Sequence, residues 1–175
     1  MTDKSKAASL SRSSFLQGRW NKHQTLLRPP WAVDEAVFME HCANQCDACR
    51  DACPEKIIVI GRGHYPHIDF SQGECTFCQQ CVDSCQYGAL DYQQGSTPWN
   101  YKAAISQEQC ITQKSVVCRS CSENCDAEAI LFHPQLGGVS SPDLKQELCT
   151  GCGACVQVCP TKAVSILTLI DPDQG

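Results

Sequence analysis

Sixteen of the 175 residues are cysteine, and they fall into four groups of four with none left over. The first group is Cys42, Cys46, Cys49 and Cys53, and the second is Cys75, Cys78, Cys81 and Cys85. The third is Cys110, Cys118, Cys121 and Cys125, and the fourth is Cys149, Cys152, Cys155 and Cys159. At about 9% of the chain, cysteine is frequent enough for sulfur chemistry to dominate the fold. The hydrophobic fraction of 42% counts these cysteines, and without them roughly a third of the chain is ordinary apolar residue, thin for a self-sufficient core. Something bound between the sulfurs is expected to supply the missing interior.

The spacing says what that is. Groups two and four read C-x2-C-x2-C-x3-C, the spacing of bacterial ferredoxins, and Pro160 follows the last cysteine of group four. A cubane [4Fe–4S] cluster needs one thiolate on each of four irons. Three cysteines two residues apart let a short loop cover one face of the cube with its N–H groups aimed at sulfur. Structural zinc takes two pairs separated by a longer stretch and fits this tight triple poorly. A disulfide framework needs an oxidising compartment. Group one opens with three intervening residues and group three with seven, Ile111 to Val117; Gln86 and Asp126 stand where group four has proline. Four [4Fe–4S] clusters, one per group, are expected. Exchange of the fourth cysteine within pairs one–two and three–four is the default, and a one–four, two–three pairing is the alternative.

After each fourth cysteine the chain repeats itself: Cys53-Pro-Glu-Lys-Ile-Ile, Cys85-Gln-Tyr-Gly-Ala-Leu, Cys125-Asp-Ala-Glu-Ala-Ile and Cys159-Pro-Thr-Lys-Ala-Val. A polar turn then aliphatic residues, four times over, implies one supersecondary unit copied. The stretch IIVIGRGHYPHIDF between groups one and two reads as a hairpin, and AILFHPQLGGVSSPDL between groups three and four has the same plan. The expected fold is α+β: tandem bacterial ferredoxin-like units with short helices and two-stranded sheets. The units span residues 34–94 and 110–170, joined by 95–109 as linker and start of the second unit. Residues 1–33 form a basic N-terminal segment expected to be flexible, and 171–175 a C-terminal tail. Two-stranded sheets are unstable alone, so the clusters must hold the fold and the apo-protein should be largely unfolded.

Charge is divided. Residues 1–28 carry six Lys or Arg and one acid, whereas the remaining 147 residues carry eight basic and eighteen acidic side chains. An acidic body argues against nucleic acid as its partner. No apolar run approaches the ~20 residues of a membrane span. There is no phosphate-binding glycine loop and no catalytic dyad. His23, His41, His64, His67 and His133 are scattered, and only His41, beside Cys42, is placed to tune a cluster. No catalytic residue is expected; the chemistry belongs to the clusters and is one-electron transfer.

The stretch SRSSFLQG at residues 11–18 nearly spells a twin-arginine export signal, but one arginine is missing and the following RWNKHQTLLRPPW offers no apolar segment. The chain is therefore expected to stay in the cytoplasm. With SRSSFLQGRW, LLRPPWA, HIDFSQGECTFCQQCVDSC and CITQKSVVCRSCSENCDAEAI, the sequence resembles the NapF family of ferredoxin-type proteins from periplasmic nitrate reductase systems, over nearly its whole length. That resemblance implies a cytoplasmic protein with four cluster motifs. Such a protein acts on the catalytic molybdenum subunit of the nitrate reductase before export, by cluster assembly or electron delivery. A general electron-transfer ferredoxin or relay subunit is the alternative, and a zinc scaffold a third reading.

Overall fold

The computed structural model describes residues 26–42, 46–133 and 138–169. The repeat seen in sequence is a repeat of backbone. Three residues past each fourth cysteine the chain turns left-handed, at Lys56, Gly88, Glu128 and Lys162, with φ of 54, 70, 50 and 53°. In three of the four the turning residue donates its N–H to the cysteine carbonyl: Lys56 to Cys53 at 3.2 Å, Glu128 to Cys125 at 2.9 Å and Lys162 to Cys159 at 3.2 Å. A side chain at such a φ costs about 1–2 kcal/mol. The turn is worth that cost because it drives the next two residues inward. Ile57 and Ile58, Ala89 and Leu90, Ala129 and Ile130, and Ala163 and Val164 are all buried. The larger of these contribute about 1.5–3 kcal/mol each.

Each buried pair then starts a pairing. Strand β1 (Ile58–Ile60) runs antiparallel to β2 (Pro66–Ile68), with Ile58 opposite Ile68. The hairpin turn passes through Gly63 at φ 72°. In the second unit β4 (Ile130–His133) pairs antiparallel with β5 (Ser141–Leu144), Ile130 opposite Leu144. Both hairpins lie where the sequence predicts them.

The remaining pairings close each unit end to end. Strand β3 (Tyr101–Ile105) pairs antiparallel with β6 (Val164–Thr168), from Tyr101 opposite Thr168 to Ile105 opposite Val164. In the first unit the same closure is one bridge, Ala32 to Leu90, flanked by Val33 N–H to Ala89 carbonyl at 3.1 Å and Asp91 N–H to Trp31 carbonyl at 2.9 Å. The helices are short. Helix α1 (Glu35–His41) is capped by the Asp34 carboxylate and buries Phe38. Helices α2 (Ala48–Ala52), α3 (Gln80–Asp83), α4 (Ser120–Glu123) and α5 (Ala154–Gln157) are single turns that each carry the third cysteine of a group. Short helices and two-stranded sheets make this the α+β architecture expected.

The N-terminal boundary differs from the sequence reading. The segment drawn to residue 33 is, from 26 onward, part of the first unit. Arg28 is the reason. Its guanidinium sits 4.8 Å from the Phe38 ring centroid, donates to the Pro66 carbonyl at 3.1 Å and pairs with both Glu35 carboxylate oxygens at 2.6 and 3.0 Å. Its backbone N–H reaches the Tyr101 hydroxyl at 2.6 Å, tying the first unit to the second. Pro29 and Trp31 are buried beside it. Residues 1–25, including SRSSFLQG, and the tail 171–175 lie outside the described residues.

Arg28 and Glu35 are unequal partners: the Arg28 side chain is 11% exposed and that of Glu35 61%. Removing Arg28 strands a buried carbonyl and uncovers Phe38, whereas removing Glu35 breaks a pair already screened by water. Arg28→Ala should destabilise the holoprotein by about 2–3 kcal/mol and Glu35→Ala by about 0.5 kcal/mol, measured as the ordering of their melting temperatures.

Candidate metal centre

The sixteen cysteines gather into four spaces, and each space takes three cysteines from one group and the fourth from another. Site one is lined by Cys42, Cys46, Cys49 and Cys85. Site two is lined by Cys75, Cys78, Cys81 and Cys53. Site three has Cys110, Cys118, Cys121 and Cys159, and site four Cys149, Cys152, Cys155 and Cys125. Fourth cysteines therefore exchange within pairs one–two and three–four. The walls between the sulfurs are mostly aliphatic: Ile57 and Ile58 at site two, Ala163 and Val164 at site three.

The sulfurs act on one another electrostatically, within a site and from the site beside it. Burial, then the charges of Cys42, Cys81, Cys85 and Cys46, pushes the Cys49 thiol up to about 12. Cys75 and Cys81 also rise to about 12, by burial first, with Cys53 among the neighbours that add to it. Cys121 rises to about 11 by burial and by Cys118, Cys110 and Cys159; Cys155 rises to about 12 by burial and by Cys152, Cys149 and Cys125. Thiols raised this far bind a metal only by giving up protons, so uptake of a cationic group releases protons and is opposed by acid. Cys159 moves the other way: burial opposes it, but N–H groups of Thr161, Ala163 and Val164 and the Thr161 hydroxyl pull it below the ordinary thiol value.

Backbone N–H groups point at the sulfurs as the spacing predicts. Ala48 donates to Cys46 Sγ, Ala103 to Cys149 Sγ and Ala129 to Cys125 Sγ, each at 3.4 Å, and Ala163 to Cys159 Sγ at 3.2 Å. No disulfide joins any of the sixteen. Among the described residues no three His, Cys, Asp or Glu side chains converge tightly enough for a single metal ion. The sulfurs frame spaces between them, which suits a polynuclear cluster.

Loops two and four share one conformation. Phe77 and Gln79 are left-handed in loop two, at φ 55 and 64°; Gly151 and Gly153 occupy the matching positions of loop four, at 75 and 86°. Loop four needs glycine for a second reason. A Cβ on Gly151 would lie 2.3 Å from the Tyr101 carbonyl oxygen, and one on Gly153 would lie 2.0 Å from the Phe70 ring. That closeness is the junction between the units. The Cys75 N–H donates to the Cys152 carbonyl at 2.8 Å, and Trp99 Nε1 donates to the Thr150 carbonyl at 2.9 Å. Trp99 stacks on Tyr101 at 5.0 Å and meets Phe70 and Phe77 edge-on at 5.9 and 5.6 Å. Sites two and four thus meet at the junction, with site one behind the first and site three behind the second.

Comparison with known proteins agrees. A 4Fe-4S dicluster domain model matches residues 109–163, and a 4Fe-4S binding domain model matches residues 75–89. The chain is 40% identical over 155 residues to the ferredoxin-type protein NapF of Escherichia coli K12, an alignment covering 89% of this chain and 93% of that one. The chain belongs to the NapF family. NapF of Haemophilus influenzae is 39% identical over 90% of this chain and 93% of its own, and NapG of E. coli K12 is 28% identical over 82% of this chain. The chain is an iron–sulfur protein of ferredoxin type, and its thiol-lined, partly aliphatic spaces fit the [4Fe–4S] group of that family.

His41, beside Cys42, sets Nδ1 3.2 Å from the Gly88 carbonyl. His64 pairs with Asp47 at 2.8 Å and His133 with Asp143 at 3.2 Å. Three hydroxyls on sulfur went unread in the sequence: Thr112, Ser120 and Thr161, each two residues after a cysteine.

The exchange gives a test that sequence proximity would answer wrongly. Cys49→Ala and Cys85→Ala should each cost about four irons per chain, and the double variant no more than either alone. Cys81→Ala with Cys85→Ala, both from group two, should cost about twice that. Iron and sulfide analysis of anaerobically prepared protein reads the result.

Proposed function

We propose that this chain is a cytoplasmic polyferredoxin holding four [4Fe–4S] clusters, with all sixteen cysteines as ligands. It serves in maturing the catalytic molybdenum subunit of a periplasmic nitrate reductase before that subunit is exported. The observation that carries the cluster assignment is the exchange that turns four uneven cysteine motifs into four four-sulfur spaces. Membership of the NapF family supports the partner. A bound [4Fe–4S] cluster supplies one-electron transfer. The protein's own part is to bind and insulate. The cysteines anchor the group, Ile57, Ile58, Ala163 and Val164 keep water from one side, and backbone N–H groups offset the charge on the thiolates. Among the described residues no helix is long and apolar enough to cross a membrane.

Residues 1–25 are the proposed docking element, with Lys4, Lys6, Arg12, Arg19 and Lys22 set against an otherwise acidic chain and Phe15, Leu16 and Trp20 among them. The second reading, a general electron relay, is favoured by the Cys75–Cys152 hydrogen bond that puts sites two and four side by side.

Anaerobic capture from cytoplasm separates the two. The bait is the intact chain or a chain starting at Leu26, which keeps the Arg28 and Trp31 contacts, so lost binding reports docking and not unfolding. The maturation role expects the molybdenum-subunit precursor to be retained by the intact chain and at least tenfold less by the shortened one, a difference of about 1.4 kcal/mol. Equal recovery of several redox proteins by both baits would favour the relay.

A further inference from the structure

The four sites are not equivalent in what touches their sulfurs. At site three, Thr112 Oγ1 lies 3.2 Å from Cys110 Sγ, Ser120 Oγ 3.7 Å from Cys118 Sγ and Thr161 Oγ1 3.8 Å from Cys159 Sγ. No other site has a side-chain hydroxyl on a cysteine sulfur among the described residues; sites one and four receive only backbone N–H groups. A metal-bound thiolate has no proton, so in the loaded protein each hydroxyl must be the donor. Three of the four site-three ligands therefore accept an O–H, and Cys159 accepts the Ala163 N–H as well.

Solvent acts in the same direction. Site one contains the buried Cys49, site two the buried Cys81 and site four the buried Cys149 and Cys155, whereas none of Cys110, Cys118, Cys121 and Cys159 is buried. Taking up an electron makes a cluster one charge more negative. Donors aimed at its sulfurs, and water near them, stabilise that added charge and raise the potential. Site two has one exposed sulfur, Cys78, but no hydroxyl to match the site-three set.

The structure assigns to Thr112, Ser120 and Thr161 a tuning role: they raise the reduction potential at site three, making it the first of the four to accept an electron. The step is a single electron passing to the site from the SO2 radical anion, which dithionite yields by cleavage of its own S–S bond and which is oxidised to SO2; no proton moves and no bond of the protein is made or broken. This assignment rests on the reading of the four sulfur sets as [4Fe–4S] ligands.

The test is a redox titration of the anaerobic holoprotein followed by electron paramagnetic resonance. Cys118→Ala identifies the site-three signal as the one it removes, together with about four irons per chain. In the intact protein that signal should be the first to appear. In the Thr112→Val, Ser120→Ala, Thr161→Val variant, with iron content unchanged, the reduced fraction at site three at a fixed potential should fall by about tenfold in ratio, ~59 mV for one electron. Should the triple variant not assemble, the pair Thr161→Val and Thr161→Ser decides: the potential should drop in the first and be kept in the second. A first signal that survives Cys118→Ala, with about four irons lost, would overturn the assignment alone; a Cys118→Ala variant that loses no iron would overturn the ligand reading and the assignment with it. An unmoved site-three potential in variants with full iron would overturn the tuning alone.

Discussion

Everything in this fold depends on the fourth cysteine of each motif leaving its own loop. Cys53 lines the site built by Cys75, Cys78 and Cys81, and Cys85 lines the site built by Cys42, Cys46 and Cys49. The second unit repeats the exchange with Cys125 and Cys159. The exchange makes each pair of motifs one folding unit, because neither site is complete until both loops are in place. It also explains the left-handed turn three residues on. The chain must leave the sulfur and reverse at once to insert its aliphatic pair under the cluster loop. At Lys56, Glu128 and Lys162 it does so with a long side chain in a conformation that favours glycine. The interior that results is part hydrocarbon and part sulfur, with holes left between the sulfurs. A chain this poor in ordinary apolar residues cannot close such holes by collapse. The bound group is therefore structural before it is functional.

The same economy governs how the units meet. Trp99, Phe70, Phe77 and Tyr101 form a small aromatic junction, and Gly151 and Gly153 let loop four approach it at backbone distance. Val156 and Ile166 pack against the cores of both units. Arg28 adds a bond from the opposite side, through the Tyr101 hydroxyl. The contact is small, yet it falls between two cysteine loops, so the units are joined where their sites come nearest.

What the sequence made legible is what is local. Cysteine spacing exposes the motifs because a cubane cluster fixes the geometry of the short loop that carries three of its ligands, seven residues long in Cys75–Cys81 and Cys149–Cys155. Both hairpins show through because a β-branched run, a glycine turn and a second run lie within one short stretch. The closing strand β3 does not show through. WNYKAAI looks like a linker until Val164–Thr168 pairs with it from the far end of the unit. LLRPPW looks like part of a flexible tail for the same reason: Arg28 finds Phe38, Pro66 and Tyr101, none of them a sequence neighbour. The hydroxyls are an intermediate case. Each stands two residues after a cysteine, as Cys110-Ile-Thr112, Cys118-Arg-Ser120 and Cys159-Pro-Thr161, a pattern readable in one line of sequence. It carries no message while Cys159 is grouped with Cys149, Cys152 and Cys155. Only the exchange moves Thr161 to the site where Thr112 and Ser120 already are.

That regrouping also gives the order of the sites a direction. Contacts run from site one to site two within the first unit, across the Cys75–Cys152 bond to site four, and on to site three within the second. The hydroxyls and the absence of a buried ligand cysteine both fall at the last position in that order. Had they been scattered over the four sites, the differences would be local accidents of packing. Placed together at one end, they are the ground for the proposal that site three takes the first electron. The seven-residue opening of group three belongs to the same arrangement. Its turn, Ile111–Lys114, buries Thr112 at 5% exposure and holds its hydroxyl at Cys110, whereas the matching positions of groups two and four are Phe77 and Gly151, which carry no hydroxyl. The irregularity that sets group three apart in sequence thus supplies one of the three hydroxyls at its site, and Ser120 and Thr161 supply the others.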